Sequence, residues 1–494
     1  MNQMNLIPAN GLTLNDNRLL IFDALIDGKW VGADQGRTFD VTNPADGKII
    51  GAVPDMGGDE TRRAIAAAAK ALPDWRARTA ADRGAILKRW AALLLANEQD
   101  LARIMTAEQG KPLGEALIEI RSAAAYIEWF AEEGRRAYGE TIPSPHSDRR
   151  IVVMPQPVGV CAAITPWNFP AGMIARKAGP ALAAGCTMVV KPAEATPFTA
   201  LAMAWLGTKA GLPAGTLAVI TGDPAVIGEV LTSDATVRKL SFTGSTAVGR
   251  RLMGQCAPTV KRLSLELGGN APFIVLDDAD LDAAVAGAVA SKYRNAGQTC
   301  VSANRFYVQD GVHDAFAAKL AVATAQLQVG RGEKDGVLIG PLIDARAVTK
   351  VESLVGDALD HGARLVTGGG RHPAGDNFYT PTVLADVSPA MRLAREEIFG
   401  PVAALVRFSA DEDAITMAND TEYGLAAYVY GRDLSRVWKL AEALEYGMVG
   451  INAGVITTEV APFGGIKQSG IGREGSRHGL NEYLELKYLA LALL

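Results

Sequence analysis

The chain has 494 residues, of which 49 are basic, 54 are acidic and 49% are hydrophobic. A net charge of −5 provides no strong positive field to neutralise a phosphate backbone, which excludes nucleic acid as the main partner. The 52 glycines are scattered among apolar and charged residues, which excludes collagen and low-complexity disorder. The composition predicts a globular protein of two or three domains.

Membrane association is also not expected. No apolar run approaches the roughly 20 residues that span a bilayer, and the N-terminus lacks a basic cap followed by an apolar stretch. The four cysteines (Cys161, Cys186, Cys256 and Cys300) lie far apart, without a C-x-x-C pair, as in a reducing compartment. We therefore expect a cytoplasmic protein with free thiols, no membrane partner and no metal site.

The region from about 59 to 138 predicts helices, because apolar residues recur there with a period near 3.6. The periodic residues include Ile65, Ile86, Leu87, Trp90, Leu93, Leu94, Ile118, Ile120, Ile127 and Phe130. Breaks between these helices are expected at Pro73, at Gly110–Pro112 and at Gly139.

After Pro143, short apolar strands alternate with helical stretches. The predicted strands are Val158–Ile164, Thr187–Val190, Leu217–Ile220 and Lys239–Phe242. A second run begins near Ala271, with a strand at Phe273–Leu276 and a helix at Leu281–Tyr293. This alternation predicts an α/β fold with parallel sheets covered by helices on both faces, in two domains.

Two further segments, Arg150–Met154 and Tyr483–Tyr488, alternate apolar and polar residues like strands with one covered face. They could pair with each other or with another subunit. A homo-oligomer, either a dimer or a tetramer, is therefore expected.

A cysteine lies on a glycine-containing turn at Asn295–Cys300, directly after a predicted helix. Backbone amides can surround such a thiol, lower its pKa and make it a nucleophile. The alternative is a buried structural cysteine.

Two more segments carry single polar groups in similar settings. Glu266 ends a strand before two glycines, where it could be a general base or a solvated loop glutamate. Asn168 lies in an aromatic loop stiffened by prolines, where it could stabilise an oxyanion or cap a turn.

Seven segments occur in an order that resembles the NAD(P)-dependent aldehyde dehydrogenase superfamily. They are Pro166–Pro170, Lys191–Glu194, Phe242–Ser245, Leu265–Gly269, Gly297–Cys300, Glu396–Pro401 and Pro462–Gly465. The resemblance runs from about residue 24 to the C-terminus. It implies a Rossmann-like NAD-binding domain (1–140 and 160–267), an α/β catalytic domain (268–470), and a small β oligomerisation arm that bridges subunits (141–159 and 471–494).

The resemblance also implies the chemistry. Cys300 would attack an aldehyde as a thiolate, and the oxyanion would rest on the Asn168 side chain and the Cys300 backbone N–H. Glu266 would activate the water that hydrolyses the resulting thioester.

The implied cofactor is NAD, with NADP possible, and its predicted site includes Thr165, Pro166 and Trp167. Gly244 and Ser245 open a helix that favours a pyrophosphate. By resemblance, Lys191 and Glu194 contact the adenine ribose, Glu397 holds the nicotinamide ribose and Phe399 packs beside the ring. Glu194 favours NAD because a carboxylate repels a 2′-phosphate, and relatives with serine there resemble NADP users. A solvated Lys191 and a core Phe399 are the alternatives.

Within the superfamily the chain is most similar to succinate-semialdehyde dehydrogenases, through Met173–Pro180, Ser291–Cys300 and Gly472–Ser476. In that subfamily, arginines at the positions of Arg176 and Arg294 grip the distal carboxylate, and Thr457 lies in the loop that closes over it. The arginines could instead pair with acidic neighbours on a helix surface.

Several alternative functions stay open. The substrate could be glutarate semialdehyde, a sulfonated aldehyde or a general aliphatic aldehyde. The chain could also be a cysteine hydrolase, or a binding protein that has lost the chemistry of its fold.

Overall fold

The computed structural model describes residues 12–493. Its helices are α1 (Gly58–Ala77), α2 (Ala80–Ala96), α3 (Glu98–Gln109), α4 (Leu113–Glu133), α5 (Pro170–Ala184), α6 (Pro197–Ala210), α7 (Pro224–Ser233), α8 (Thr246–Cys256), α9 (Leu281–Lys292), α10 (His313–Ala325), α11 (Ala345–Asp360), α12 (Arg392–Arg395), α13 (Asp411–Asn419), α14 (Leu434–Ala443) and α15 (Ser476–Asn481).

Its strands are β1 (Ala24–Ile26), β2 (Lys29–Val31), β3 (Thr38–Thr42), β4 (Ile49–Pro54), β5 (Glu140–Ile142), β6 (Arg149–Pro157), β7 (Val160–Ile164), β8 (Thr187–Lys191), β9 (Leu217–Val219), β10 (Val237–Thr243), β11 (Arg262–Glu266), β12 (Ala271–Val275), β13 (Ala303–Gln309), β14 (Arg364–Thr367), β15 (Thr382–Ala385), β16 (Val402–Phe408), β17 (Ala426–Tyr430), β18 (Met448–Ile451), β19 (Gly470–Ile471) and β20 (Leu484–Ala492).

Five parallel strands form the centre of the first sheet, in the order β11-β10-β7-β8-β9. β1 extends the sheet antiparallel beyond β9, β2 follows, and β19 pairs antiparallel with β11. The strand order reverses at β7, which makes the carboxyl ends of β7 and β10 a topological switch point. Open α/β sheets bind their ligands at such points.

The second sheet has six parallel strands in the order β15-β16-β13-β12-β17-β18, with β14 antiparallel at one edge. Its central strands are buried on both faces, because helices cover both sides of the sheet. The predicted α/β fold with parallel sheets is thus confirmed, and the antiparallel strands of these two sheets lie at their edges.

A separate three-stranded antiparallel sheet has the order β20-β6-β5. The two alternating segments therefore pair with each other, with Leu484 opposite Pro157 and Ala492 opposite Arg149. The expectation of one covered face is wrong for this chain by itself, since every residue of β20 after Leu484 is exposed. The side chains that would cover β20 do not come from residues 12–493 of the same chain.

The helical region follows the predicted pattern except at Pro73. The break at Gly110–Pro112 lies between α3 and α4, and α4 ends before Gly139. Pro73 was expected to break a helix, but it lies inside α1. Ala68 and Trp75, on either side of it, are buried, so packing holds the helix through the proline. No helix in residues 12–493 is long and apolar enough to cross a membrane.

Candidate active site

A cavity of about 300 Å³ lies where the ends of β7, β10 and β11 meet the turn that carries Cys300. Nine of the predicted site residues line it, namely Pro166, Trp167, Asn168, Gly244, Ser245, Glu266, Cys300, Glu397 and Phe399. These residues come from distant parts of the chain, and the switch point of the first sheet brings them together.

Cys300 follows a strained turn after α9. Asn295 and Ala296 have φ angles of 52° and 54°, in the left-handed region that is uncommon for residues other than glycine. The thiol is half-buried. Among residues 12–493, no acceptor lies within hydrogen-bond distance of the Cys300 backbone N–H. This donor is therefore available at the cavity.

Asn168 is buried opposite the cysteine turn. Its side-chain Nδ2 donates to the Gln298 carbonyl at 3.0 Å, and its Oδ1 has no partner within the described chain. An amide nitrogen carries two protons, so one N–H remains free for a ligand. The Asn168 amide and the Cys300 N–H provide two donors next to one thiol, the composition of an oxyanion site.

Glu266 ends β11 as predicted, and it is buried. Its Oε2 has no hydrogen-bond partner in the described part of the chain. Burial and the nearby Glu474 raise the pKa of Glu266 well above its usual range, against the opposing charges of Lys177 and Arg176. Lys177 pairs with Glu474 and donates to Thr243 Oγ1 at 2.7 Å. This shift makes the carboxylate of Glu266 a stronger proton acceptor than an exposed glutamate.

Arg176, in α5, is buried below the cavity between two aromatic rings. Its guanidinium carbon lies 4.8 Å from the ring centre of Tyr126 and 4.4 Å from that of Phe463, at cation–π distance. Its one ion pair is loose, with Nη1 3.8 Å from Glu474 Oε2. No acceptor among residues 12–493 bonds its Nε or Nη1.

Arg294 and Thr457 complete the predicted substrate residues. The guanidinium of Arg294 lies 5.5 Å from the Phe169 ring centre, and the charges of Arg176 and Arg294 both lower the pKa of Cys300. The carbonyl next to Thr457, that of Thr458, accepts a bond from Tyr126 Oη at 3.0 Å. The Thr457 loop is therefore tied to the aromatic ring that contacts Arg176.

The other end of the cavity has features of a dinucleotide site. Ser245 caps the N-terminus of α8, and the amides of Thr246 and Ala247 have no acceptor in residues 12–493. Such free amides at a helix N-terminus favour a pyrophosphate. Glu397 accepts from the Gly269 N–H at 3.1 Å, and burial raises its pKa to about 7.

Of the remaining predicted cofactor residues, Trp167 and Phe399 line the cavity, whereas Thr165, Lys191 and Glu194 do not. The ring of Phe399 contacts that of Trp167 edge to face, with centres 5.6 Å apart. At the neighbouring strand ends, the Thr165 N–H donates to the Lys191 carbonyl at 3.1 Å. Burial lowers the pKa of Lys191 to about 7, and its ammonium pairs with the exposed carboxylate of Glu194.

Known proteins share both the sequence and this architecture. The model of the Aldehyde dehydrogenase family matches residues 30–489. The chain belongs to the aldehyde dehydrogenase family. It is 61% identical to a succinate-semialdehyde dehydrogenase (NADP⁺) of Escherichia coli, over 98% of this chain and 100% of the relative.

Two further relatives support membership of the same family. A glutarate-semialdehyde dehydrogenase of Pseudomonas putida is 60% identical, over 98% of this aldehyde dehydrogenase and 100% of the relative. The crystal structure of a succinate-semialdehyde dehydrogenase from Burkholderia pseudomallei superposes with a TM-score of 0.97 at 62% identity, covering 97% of this chain and 100% of that one.

One expectation about the cysteine is wrong. The turn was expected to lower the pKa of the Cys300 thiol. Burial instead raises this pKa to about 12, and the carboxylates of Glu397 and Glu266 add to the rise. The free backbone N–H and the two arginines do not offset the loss of solvation.

Several residues of the site were not predicted. Lys350 of α11 lines the cavity and donates from Nζ to the Glu397 carbonyl at 2.6 Å. Phe463 and Glu474 lie within or beside segments that carried the family resemblance, so their motifs were a usable signal. No sequence signal pointed to Tyr126, because an aromatic residue in an apolar helix cannot be distinguished by sequence from a core residue.

Proposed function

We propose that this enzyme oxidises a short aldehyde with an anionic far end to the carboxylic acid, and that succinate semialdehyde is its substrate. Glutarate semialdehyde and sulfonated aldehydes share the same chemistry. The observation that carries the proposal is the buried guanidinium of Arg176, whose Nε and Nη1 have no acceptor in residues 12–493.

A buried cation without hydrogen-bond partners is costly, and an anionic ligand that accepts its N–H bonds removes much of this cost. A carboxylate suits the planar fork of arginine, which binds it with two parallel bonds. Glu474, at 3.8 Å, is too distant to fill this role. A general aliphatic aldehyde would leave Nε and Nη1 of Arg176 without a hydrogen-bond acceptor in residues 12–493, which disfavours that alternative.

In the proposed reaction, the Cys300 sulfur adds to the aldehyde carbon and forms a thiohemiacetal. The thiol proton leaves to a carboxylate, for which Glu266 has a buried and unpartnered Oε2. The Asn168 amide and the Cys300 N–H then bond the oxyanion. The nicotinamide, when bound, accepts the hydride that leaves the substrate carbon, and a thioester remains on Cys300.

Glu266 then acts a second time. The proton that it took from the thiol first passes toward the ion pair of Glu474 and Lys177, which lies beside it, and on to solvent. Glu266, again a carboxylate, then accepts a proton from the water whose oxygen attacks the thioester, and it returns this proton to the leaving Cys300 sulfur as the acid is released.

The described residues fit a nicotinamide dinucleotide. The free amides at the start of α8 suit its pyrophosphate, and Glu397 and Lys350 lie at the same end of the cavity. We propose NAD as the preferred form, because the exposed carboxylate of Glu194 would accept bonds from ribose hydroxyls and repel a 2′-phosphate. The relative named as NADP⁺-dependent makes this preference the part of the proposal that most needs a test.

We also propose the predicted division into NAD-binding domain, catalytic domain and oligomerisation arm. The uncovered apolar side chains of β20 support a homo-oligomer, since water would otherwise contact Leu486, Tyr488 and Leu491. A cytoplasmic location agrees with four free cysteines.

The test compares an anionic and an uncharged aldehyde in wild type, Arg176→Leu and Arg294→Leu. A lost charge-assisted contact is worth roughly 1.5–3 kcal/mol, so kcat/KM for succinate semialdehyde should fall about tenfold to a hundredfold. The value for butanal should change little or rise, because no unpaired cation then faces its apolar tail. If kcat/KM falls by the same factor for both aldehydes in both variants, the arginines are structural and the anionic-substrate proposal fails.

A further inference from the structure

The two donors of the oxyanion site belong to different sheets. Asn168 follows β7 of the first sheet, whereas Cys300 precedes β13 of the second. Their relative position is therefore not set by either sheet alone. A buried polar network links the two loops, and its central members are Lys111 and Asn295.

Asn295 bonds to both loops at once. Its Nδ2 donates to the Asn168 carbonyl at 3.1 Å and to the Gln298 carbonyl at 3.2 Å. The same Gln298 carbonyl accepts from the Asn168 side chain at 3.0 Å. One asparagine thus holds the main chain of Asn168, while Asn168 in turn bonds the cysteine turn, and the two loops form a closed ring of hydrogen bonds.

Lys111 holds the Asn168 loop from the other side. Its ammonium donates to the Asn168 carbonyl at 2.8 Å and pairs with Glu119. Glu119 Oε1 accepts from the N–H groups of Ala171 and Gly172, at 2.9 and 3.1 Å, in the first turn of α5. The Lys111 side chain is 1% exposed, so these bonds are not shared with solvent.

The α3–α4 connection and the start of α4 also fix Asn295. Gln109 Nε2 donates to Asn295 Oδ1 at 3.0 Å, and Gln109 Oε1 accepts the Lys111 N–H at 2.9 Å. Glu115 Oε2 accepts the Asn295 N–H at 2.8 Å. The left-handed φ of 52° at Asn295 is therefore held by bonds to its main chain and to its side chain.

We propose that Lys111 and Asn295 are positioning residues, which fix the Asn168 amide relative to the Cys300 N–H so that both donors meet the same oxyanion. The inference rests on the proposed roles of Asn168 and Cys300. Its physical basis is that a misplacement of about 1 Å in such a constellation can cost about a hundredfold in rate. Neither residue itself lines the cavity.

Two charge-neutral replacements test this. Lys111→Met with Glu119→Gln removes the ammonium without leaving an unpaired carboxylate, and glutamine keeps an acceptor for the start of α5. Asn295→Gly removes all three hydrogen bonds of the side-chain amide and tolerates the positive φ. The matched control is Lys239→Met with Glu482→Gln, because Lys239 is also buried, lies 3.5 Å from Glu482 and contacts an aromatic ring.

Two rates are measured in each variant. One is the single-turnover formation of NADH from succinate semialdehyde, which passes through an oxyanion. The other is the alkylation of Cys300 by iodoacetamide, which does not. We expect NADH formation to fall about tenfold to a hundredfold in both test variants, with alkylation within about threefold of wild type and KM little changed. The control variant should keep both rates.

The proposal fails if NADH formation stays within about threefold of wild type in Asn295→Gly or in the double variant. It also fails if alkylation falls in parallel, because the turn would then be generally distorted. Asn168→Ala is measured alongside, so that a failure of the positioning proposal can be distinguished from a failure of the proposed function. If Asn168→Ala retains the wild-type rate of NADH formation, the proposed oxyanion role of Asn168 itself is wrong. Thermal melts identify any variant that does not fold, and the other variant then decides.

Discussion

The side-chain Nδ2 of Asn168 donates a hydrogen bond to the Gln298 carbonyl at 3.0 Å, two residues before the cysteine. This bond holds the Asn168 amide against the turn that carries the Cys300 N–H. The geometry predicts that Asn168 stabilises charge on the substrate oxygen and contributes little to ground-state binding.

We therefore expect Asn168→Ala to lower the rate constant of hydride transfer by about 10²–10³-fold while KM changes little, as for the loss of one oxyanion donor. Stopped-flow measurement of NADH absorbance gives this rate constant. A large rise in KM with an unchanged rate would instead make Asn168 a ground-state binding residue.

The raised pKa of Cys300 predicts how its reactivity depends on pH. Burial raises the pKa of the Cys300 thiol to about 12, and below the pKa the thiolate fraction rises tenfold per pH unit. Alkylation by iodoacetamide should thus rise steadily from pH 7 to pH 10 without a plateau. Cys300→Ala supplies the background from the other three thiols, and a plateau below pH 8 would show that the thiol is already activated.

Glu194 should determine the choice of cofactor. Replacement by serine removes the carboxylate that, in the proposed cofactor site, would bond the ribose hydroxyls and repel a 2′-phosphate. Charge-assisted bonds of roughly 1.5–3 kcal/mol imply that the ratio of kcat/KM for NAD to that for NADP falls about tenfold or more. Glu194→Gln removes the charge but keeps the size of the side chain, so it shows whether the charge itself causes the change in cofactor preference. A wild-type enzyme with the higher kcat/KM for NADP contradicts this reading.

The exposed strand β20 should carry a subunit contact. Leu486 and Tyr488 are 75% and 61% exposed, and burying them would favour association. Leu486→Arg should lower the molar mass measured by light scattering at micromolar concentration. Val322→Arg is the control, because Val322 on α10 is also 61% exposed but lies outside the three-stranded sheet. An unchanged mass for Leu486→Arg would argue against this contact.

The sequence patterns predicted those features of the fold and the site that depend on neighbouring residues in the chain. Apolar runs located β7, β8, β9 and β10 of the first sheet and β12 of the second. The short motifs identified nine of the residues that line the cavity. Some of these motifs lie at the ends of β7, β10 and β11, and the others precede β13 and β16 of the second sheet. The pairing of Arg150–Met154 with Tyr483–Tyr488 was one of two open possibilities, since alternation alone does not specify a partner.

Properties that depend on the surroundings could not be predicted in this way. Ile118 belongs to the apolar period of α4 but is 65% exposed, whereas its neighbour Glu119 is buried. Glu119 lies on the inward side of α4 because its carboxylate pairs with Lys111 and accepts the N–H bonds of Ala171 and Gly172 at the start of α5. The prediction that the pKa of Cys300 is lowered was wrong for a similar reason, because the residues that desolvate the thiol are remote from it in sequence.

The most direct test of the account is to trap the acyl-enzyme in the Glu266→Gln variant. Without its general base, this variant should release a burst of NADH with succinate semialdehyde and NAD, followed by a weak steady rate. Mass spectrometry of the quenched enzyme should then find one succinyl group on the peptide that contains Cys300, and Cys300→Ala should show neither burst nor acyl group. Substantial turnover in Cys300→Ala, or a succinyl group on any other residue, would contradict the account.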